Sequence, residues 1–185
     1  ATAEMLMDMN PELKLEVFTS PANTPSEVDA FISGASLVVD AIDYAGFRHK
    51  SLLHEQARKK GLYVLSGPIP AYGATLHIFS PTGMTVEEFF GAPKDRNQWD
   101  TFRIPIDRTA PKSCIPQVLF DFEQGKIPYL STNGASAQLA GGMLAMEAAL
   151  MITGKRGNEQ VVIPNMLYID FLKMKYIKCN PLLEE

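Results

Sequence analysis

Two aspartates near the end of a short apolar segment have a type and spacing that could support chemistry. Asp40 and Asp43 lie in SLVVDAID, where branched apolar residues predict a strand over residues 36–42 that is buried on both faces. In an open parallel sheet, ligands bind beyond the carboxyl ends of the strands, and Asp43 lies where this strand ends. One carboxylate there could hold Mg²⁺ together with phosphate oxygens. The alternative is structural: Asp43 caps the next helix, and Asp40 accepts a hydrogen bond from a loop amide.

Two basic residues follow, one turn into the next predicted helix. Arg48 and Lys50 could reach a phosphate above Asp43. The alternative is that both lie on a solvated helix face. The three histidines show no shared spacing, and we expect His54 to face solvent. None of the three is a good candidate for a general base.

A cysteine in a proline-rich stretch is the one candidate nucleophile. Cys114 lies in PKSCIP, where Lys112 could lower the pKa of its thiol modestly. The alternative is an incidental loop cysteine. Cys114 and Cys179 are too few for a disulfide framework, and they do not form the C-x-x-C motif of a zinc site. We therefore expect no zinc and no structural metal.

Composition limits the classes of function. The chain has 185 residues, 17 Lys and Arg against 21 Asp and Glu, a net charge of −4 and 46% hydrophobic residues. It is long enough for one domain over residues 1–185. The mild acidity predicts no nucleic-acid partner and no anionic membrane surface. A secretory signal pattern is missing, so we expect a cytoplasmic protein.

One long apolar stretch, residues 135–153, contains Gln138 and a central Glu147. A glutamate near the centre of a bilayer costs a few kcal/mol, so we expect a buried core or interface helix rather than a membrane span.

The order of apolar patterns predicts an α/β fold. A strand, a helix of about fourteen residues and a strand form a βαβ unit, whose strands are parallel. We expect a Rossmann-like, mostly parallel sheet flanked by helices. Residues 92–130, with five prolines, are predicted to form an irregular crossover-type segment. The predicted elements, in chain order, are a helix at 1–9, a strand at 13–18, a helix at 26–34, the strand at 36–42, a helix at 47–60 closed by Gly61, strands at 62–66 and 74–79, a helix at 86–90 with a capping box at Thr85, a helix at 135–153 capped by Ser131 or Thr132 and closed by Gly154, and a hairpin within 161–177.

No phosphate-cradling loop is recognisable in the chain. Neither G-x-G-x-x-G nor G-x-x-x-x-G-K-[ST] occurs. A polyanionic ligand would therefore have to be bound through local amides, a cation or a metal.

Several segments in a fixed order resemble the HesA/MoeB/ThiF family of ubiquitin-activating-enzyme-like adenylyltransferases. They are the Asn-Pro pair at 10–11, LVVDAIDY, ARKKG, YVLSGPI, GATLHIFSPTGM and GASAQLAGGMLAMEAALMITGK. The resemblance implies a Rossmann-like half-fold. In complete members it also implies ATP- and Mg²⁺-dependent adenylation of the C-terminal carboxylate of a partner, which is a ubiquitin-like or sulfur-carrier protein.

The same resemblance assigns expected roles to four residues. Asp43 matches the aspartate that positions magnesium and phosphates, and either Arg48 or Lys50 takes the place of the family's next basic residue. Cys114 falls where thiolester-forming members carry their cysteine. Tyr44 stands where the family commonly has asparagine, and the zinc-binding C-x-x-C pairs of many members are missing.

In the family, the glycine-rich loop and the residues that grip ATP precede the helix with which this chain opens. We therefore expect a truncated chain that is inactive alone, within a longer adenylyltransferase that uses ATP and Mg²⁺. Two alternatives remain. One is a non-catalytic partner-binding or homodimerising module, favoured by Tyr44 and by the methionine- and glycine-rich last helix. The other is an NAD(P)-linked Rossmann oxidoreductase, which fits the βαβ pattern but lacks its fingerprint.

Overall fold

A computed structural model describes residues 2–129 and 133–183, which form one mixed sheet with helices on its two faces. The helices are α1 (Thr2–Met9), α2 (Pro25–Phe31), α3 (Phe47–Lys59), α4 (Val86–Phe90), α5 (Gln117–Glu123) and α6 (Gly134–Ile152). The strands are β1 (Val38–Asp40), β2 (Val64–Ser66), β3 (Gly73–Phe79), β4 (Met166–Asp170) and β5 (Lys175–Cys179). Three short 3-10 helices, Arg96–Gln98, Ile106–Arg108 and Lys112–Cys114, lie between α4 and α5.

The five strands are hydrogen-bonded in chain order, from β1 at one edge to β5 at the other. Only β1 and β2 are parallel, because α3 provides the crossover between them. The other three neighbouring pairs, β2–β3, β3–β4 and β4–β5, are antiparallel. The predicted α/β Rossmann-type class is confirmed. The sheet is mixed rather than mostly parallel, since the loops at 67–72 and 171–174 are too short for crossovers.

The two faces of β3 divide the core. Phe79 packs in the larger apolar cluster with Phe47 and Leu53 of α3. The alternate residues Leu76 and Ile78 form a second cluster, against which α6 packs. The side-chain period of two along a strand separates these layers, so each helix covers one face of the sheet.

The predicted helices at both sides of the sheet are confirmed, with shifts of a few residues at their ends. α3 ends before Gly61, whose φ of +71° suits glycine, and Gly154 follows α6 with φ of +69°. The capping box at Thr85 is present, with Glu88 bonding back to the Thr85 amide at 2.8 Å. The predicted caps of α6, Ser131 and Thr132, lie outside the described residues, and Asn133 caps the helix.

The predicted strand at 13–18 was wrong. This segment has no regular secondary structure and pairs with no strand among the described residues, and its apolar side chains are exposed, Val17 by 59%. α1, just before it, buries none of its residues. Alternating polarity produces a strand only where a neighbour supplies both hydrogen bonds and an apolar face. Residues 2–129 and 133–183 do not supply both to the segment 13–18.

α6 buries its charged residue and exposes an uncharged face. By length and composition it could cross a membrane, and only 17% of its most apolar 18-residue window is buried. Glu147, the one charged residue of α6, is buried and pairs with Arg156, whose Nε lies 2.9 Å from Oε1. The outward face, including Gly141 and Ala145, is uncharged and exposed. The core-helix prediction was therefore wrong, and the interface alternative remains.

A buried histidine lies in the centre of the aromatic part of the core. His77 of β3 has no exposed surface, and its ring contacts Phe89 edge-on with centroids 5.2 Å apart. Neither ring nitrogen makes a hydrogen bond of ordinary geometry, although the backbone of Arg108 is close by. Burial, with the charge of Lys50, lowers the pKa of His77 to about 3. His77 is therefore neutral in the folded protein at neutral pH.

This depressed pKa makes the fold sensitive to acid. Unfolding returns His77 to its ordinary pKa of 6.5, so the unfolded state binds more protons between pH 3 and 6.5 and stability falls as pH drops through this window. Between pH 7.5 and 5, we expect His77 to account for about 2 kcal/mol of lost unfolding free energy. Urea unfolding of His77→Phe should show a loss smaller by about that amount.

His49→Phe serves as the matched control, because His49 is exposed. It should retain the acid sensitivity of the parent chain. An unchanged pH dependence in His77→Phe would contradict the prediction.

Candidate functional site

Asp43 lies in the loop between β1 and α3 and is exposed. Its Oδ1 accepts the Tyr44 amide at 2.6 Å, and its carbonyl accepts the Gly46 amide at 2.9 Å. Gly46, rather than Asp43, is the N-cap of α3, so the alternative role of Asp43 as a helix cap is not observed. Within the described residues Oδ2 receives no hydrogen bond. Asp43 thus presents one carboxylate oxygen to solvent at the carboxyl end of a parallel strand.

Asp40, the last residue of β1, is 2% exposed and holds this loop in place. Its Oδ1 accepts the Ile42 amide at 2.8 Å, which confirms the alternative role for Asp40. Its Oδ2 accepts Lys50 Nζ at 2.5 Å and His54 Nε2 at 2.9 Å. Burial would raise the pKa of Asp40, but the hydrogen bond from His54 and the charge of Lys50 lower it to about 2. Asp40 is therefore ionised and fully partnered.

Lys50 and His54 are four residues apart, so they project from the same face of α3 towards the end of β1. Lys50 is 4% exposed and His54 is 6% exposed. Lys50 is thus committed to Asp40 rather than placed above Asp43. The expectation that His54 faces solvent was wrong. Burial lowers the pKa of His54, while its hydrogen bond to Asp40 opposes this shift.

Arg48, in contrast, lies at the surface. Its guanidinium donates to both carboxylate oxygens of Asp100, at 2.6 and 3.0 Å, and to the Arg96 carbonyl at 2.9 Å. The side chains of Arg48 and Asp100 are 43% and 66% exposed. Exposed pairs of this kind contribute little to stability, so Arg48 could exchange Asp100 for a phosphate at little cost.

Cys114 is half-buried at the end of the third 3-10 helix. Burial and the neighbouring Asp170 raise the pKa of its thiol. The expectation that Lys112 lowers this pKa was therefore wrong. Cys114 and Tyr44, the neighbour of Asp43, pack against the same apolar cluster around Ile106 and Tyr168. No hydrogen bond or ion pair among the described residues joins Cys114 to Asp43.

The site offers few protein ligands for a metal. Across residues 2–129 and 133–183, no group of three or more His, Cys, Asp and Glu side chains could hold a metal ion. Asp43 alone still fits magnesium, which binds through one or two carboxylates and completes its shell with water and phosphate oxygens.

Because Lys50 and Asp40 form a buried ion pair, we expect substitution of Lys50 to reduce the stability of the fold strongly. Lys50→Met removes one partner of a buried ion pair and leaves Asp40 under-compensated, so we expect a loss of about 3 kcal/mol of unfolding free energy. Arg48→Met, which breaks the exposed pair with Asp100, should change stability much less than Lys50→Met does. Urea unfolding at pH 7 measures both. Equal effects of the two substitutions would contradict the buried role of Lys50.

The fold of this chain is similar to that of a solved structure. A search of curated proteins finds no match. Among solved structures, the crystal structure of selenomethionine PaaA aligns with a TM-score of 0.59 at 10% sequence identity. The alignment covers 96% of this chain and 45% of that chain, so the present chain spans less than half the length of PaaA. At this identity, the likeness shows the fold alone.

The family model described as the ThiF family matches residues 1–184, which is nearly the whole chain. The exposed Asp43 at the end of β1 and the βαβ unit that carries it both lie within that match. This chain belongs to the ThiF family.

Proposed function

We propose that this chain is part of a ThiF-like adenylyltransferase that activates the C-terminal carboxylate of a ubiquitin-like or sulfur-carrier protein in the cytoplasm. The observation that carries the proposal is the exposed Asp43 carboxylate at the carboxyl end of β1, held by a fully partnered Asp40. Family membership supports adenylation over hydride transfer to NAD(P).

The candidate residues have different proposed roles. Asp43 would hold Mg²⁺, and Arg48 would leave Asp100 to contact a phosphate. Lys50 fixes the loop through Asp40 and does not bind ligand. When bound, ATP supplies the adenylyl group that the partner's carboxylate oxygen takes as pyrophosphate leaves. The raised pKa of Cys114 disfavours a thiolate, so Cys114 has no assigned role in this step.

Further polypeptide is part of the proposal. Nothing among the described residues cradles a triphosphate, while α1 and residues 13–18 leave most of their apolar side chains exposed, with Phe18 packed edge-on against Phe31. An apolar surface of this kind supports an additional polypeptide packed against it, which would contribute the phosphate-binding backbone. We propose that catalysis requires that polypeptide and that the present chain alone is inactive.

The test uses a longer form that carries the whole protein. Asp43→Asn should reduce ATP–pyrophosphate exchange by at least about 100-fold, because the proposed magnesium contact acts on the charge that develops at the phosphates. Asp29→Asn removes an exposed acid that pairs with Lys60 and should leave the exchange rate unchanged. Full exchange activity in Asp43→Asn would contradict the proposed role.

The uncharged outer face of α6 favours a second candidate function, a dimerising module. Ala137, Gly141, Ala145 and Ala149 recur every four residues, and no atom lies within 4 Å of a Cβ built at Gly141. We propose that a second copy packs on this face, since two small-residue rows allow close approach of their helices.

Sedimentation of the chain tests the dimer. Ala145→Glu places a charge in the proposed seam and should convert a dimer into a monomer. Ala30→Glu changes an equally exposed alanine on α2 and should leave the dimer intact. A monomeric parent chain, or a dimer that is insensitive to Ala145→Glu, would contradict this second function.

A further inference from the structure

A cavity of about 220 Å³ lies on the side of His54 away from the Asp43 loop. It is formed by the second half of α3, the end of β3 and the start of α4, and His54, Arg58 and Glu87 are among its lining residues. Asp43 precedes the first turn of α3, whereas the cavity begins beyond its second turn. The cavity is therefore separate from the site assigned to magnesium and phosphate.

His54, in the wall of this cavity, has one ring nitrogen that makes no hydrogen bond within the described residues. Its Nε2 lies 2.9 Å from Asp40 Oδ2, and its Nδ1 makes no hydrogen bond to any described residue. An ionised carboxylate can only accept, so the proton of a neutral His54 lies on Nε2 and Nδ1 carries a lone pair. Phe79 contacts the ring edge-on at 4.7 Å and fixes its orientation. The cavity thus contains an oriented hydrogen-bond acceptor on a side chain that is 6% exposed.

Arg58 supplies a cation whose charge is little compensated. Its one hydrogen bond among the described residues goes to the Gly83 carbonyl, at 2.8 Å, and it forms no ion pair there. Its charge acts on Glu88, but that carboxylate is already bonded to the Thr85 amide. Arg58 therefore has donors available for an anionic group.

The acidic residues in the wall are already engaged. Glu55 accepts Lys59 at 2.9 Å and Arg96 at 3.5 Å. Glu87 accepts the hydroxyl of Ser51. Arg96 is paired with Glu55, whereas Arg58 has no ion-pair partner among the described residues, so Arg58 is the cation of this wall that can meet a ligand carboxylate.

The wall also contains apolar side chains, among them Leu62, Val64, Phe79 and Met84, beside the polar Ser80 and Thr85. We propose that this cavity binds a small 2-amino or 2-hydroxy carboxylic acid with an apolar side chain. The carboxylate pairs with Arg58, and the amino or hydroxyl group donates to His54 Nδ1. The side chain lies against the apolar wall, and the small volume limits the ligand to a single residue-sized acid.

Four probes with the same branched apolar side chain separate the contacts. L-leucine and L-2-hydroxy-4-methylpentanoate carry both polar groups, 4-methylpentanoate lacks the donor, and 3-methylbutylamine lacks the carboxylate. In long-range ¹H–¹⁵N spectra of the imidazole rings, we expect at least one of the first two probes to shift the His54 Nδ1 resonance saturably. The two incomplete probes should bind at least about tenfold more weakly, because each loses one charge-assisted or buried hydrogen bond. The exposed His49 is the internal reference and should not shift.

Arg58→Gln should weaken binding of the complete probe by at least about tenfold, while Lys60→Gln, a nearby exposed cation that pairs with Asp29 outside the cavity, should not. Both substitutions are at the surface end of α3, so their far-ultraviolet circular dichroism should match the parent chain. Three results would each overturn the proposal: no saturable shift of His54 with either complete probe, equal binding of 4-methylpentanoate, or unchanged binding in Arg58→Gln.

Discussion

The buried carboxylate of Asp40 is the constraint around which this end of the molecule is organised. It is 2% exposed, yet it remains ionised because Lys50, His54 and the Ile42 amide all donate to it. A buried charge without these partners would cost several kcal/mol. The same three donors tie the end of β1, the loop before Asp43 and two turns of α3 into one rigid unit. The position of Asp43 therefore depends on a side chain that touches no ligand.

α3 connects two surfaces through this unit. At its start, the loop exposes Asp43, and Arg48 is held only by an exchangeable surface pair. In its second half, His54 bonds Asp40 through Nε2 and also lines a separate cavity. The ligands proposed for the two surfaces would both contact α3, whose central residues are buried.

α6 shows the opposite arrangement on the other face of the sheet. Its charge is inside, on Glu147, and its outer surface is small and uncharged. α1 and residues 13–18 likewise expose apolar side chains, Met9 by 77% and Val17 by 59%. These surfaces are costly in water, which supports additional polypeptide on at least one of them.

The sequence by itself determined five of the six α-helices that the structure describes, the α/β class, the capping box at Thr85 and the place of Asp43 just after β1, because these depend on local patterns and short spacings. Tertiary structure decided what those patterns could not. The segment 13–18 has the alternation of a strand but no neighbouring strand among residues 2–129 and 133–183 to pair with. Lys50 and His54 look like solvated positions in the sequence, yet the four-residue spacing turns both onto Asp40. Lys112 is close to Cys114 along the chain, but burial and Asp170 set the pKa of the thiol. Charge pairing and burial join residues far apart in the chain, and only the folded backbone specifies which of them meet.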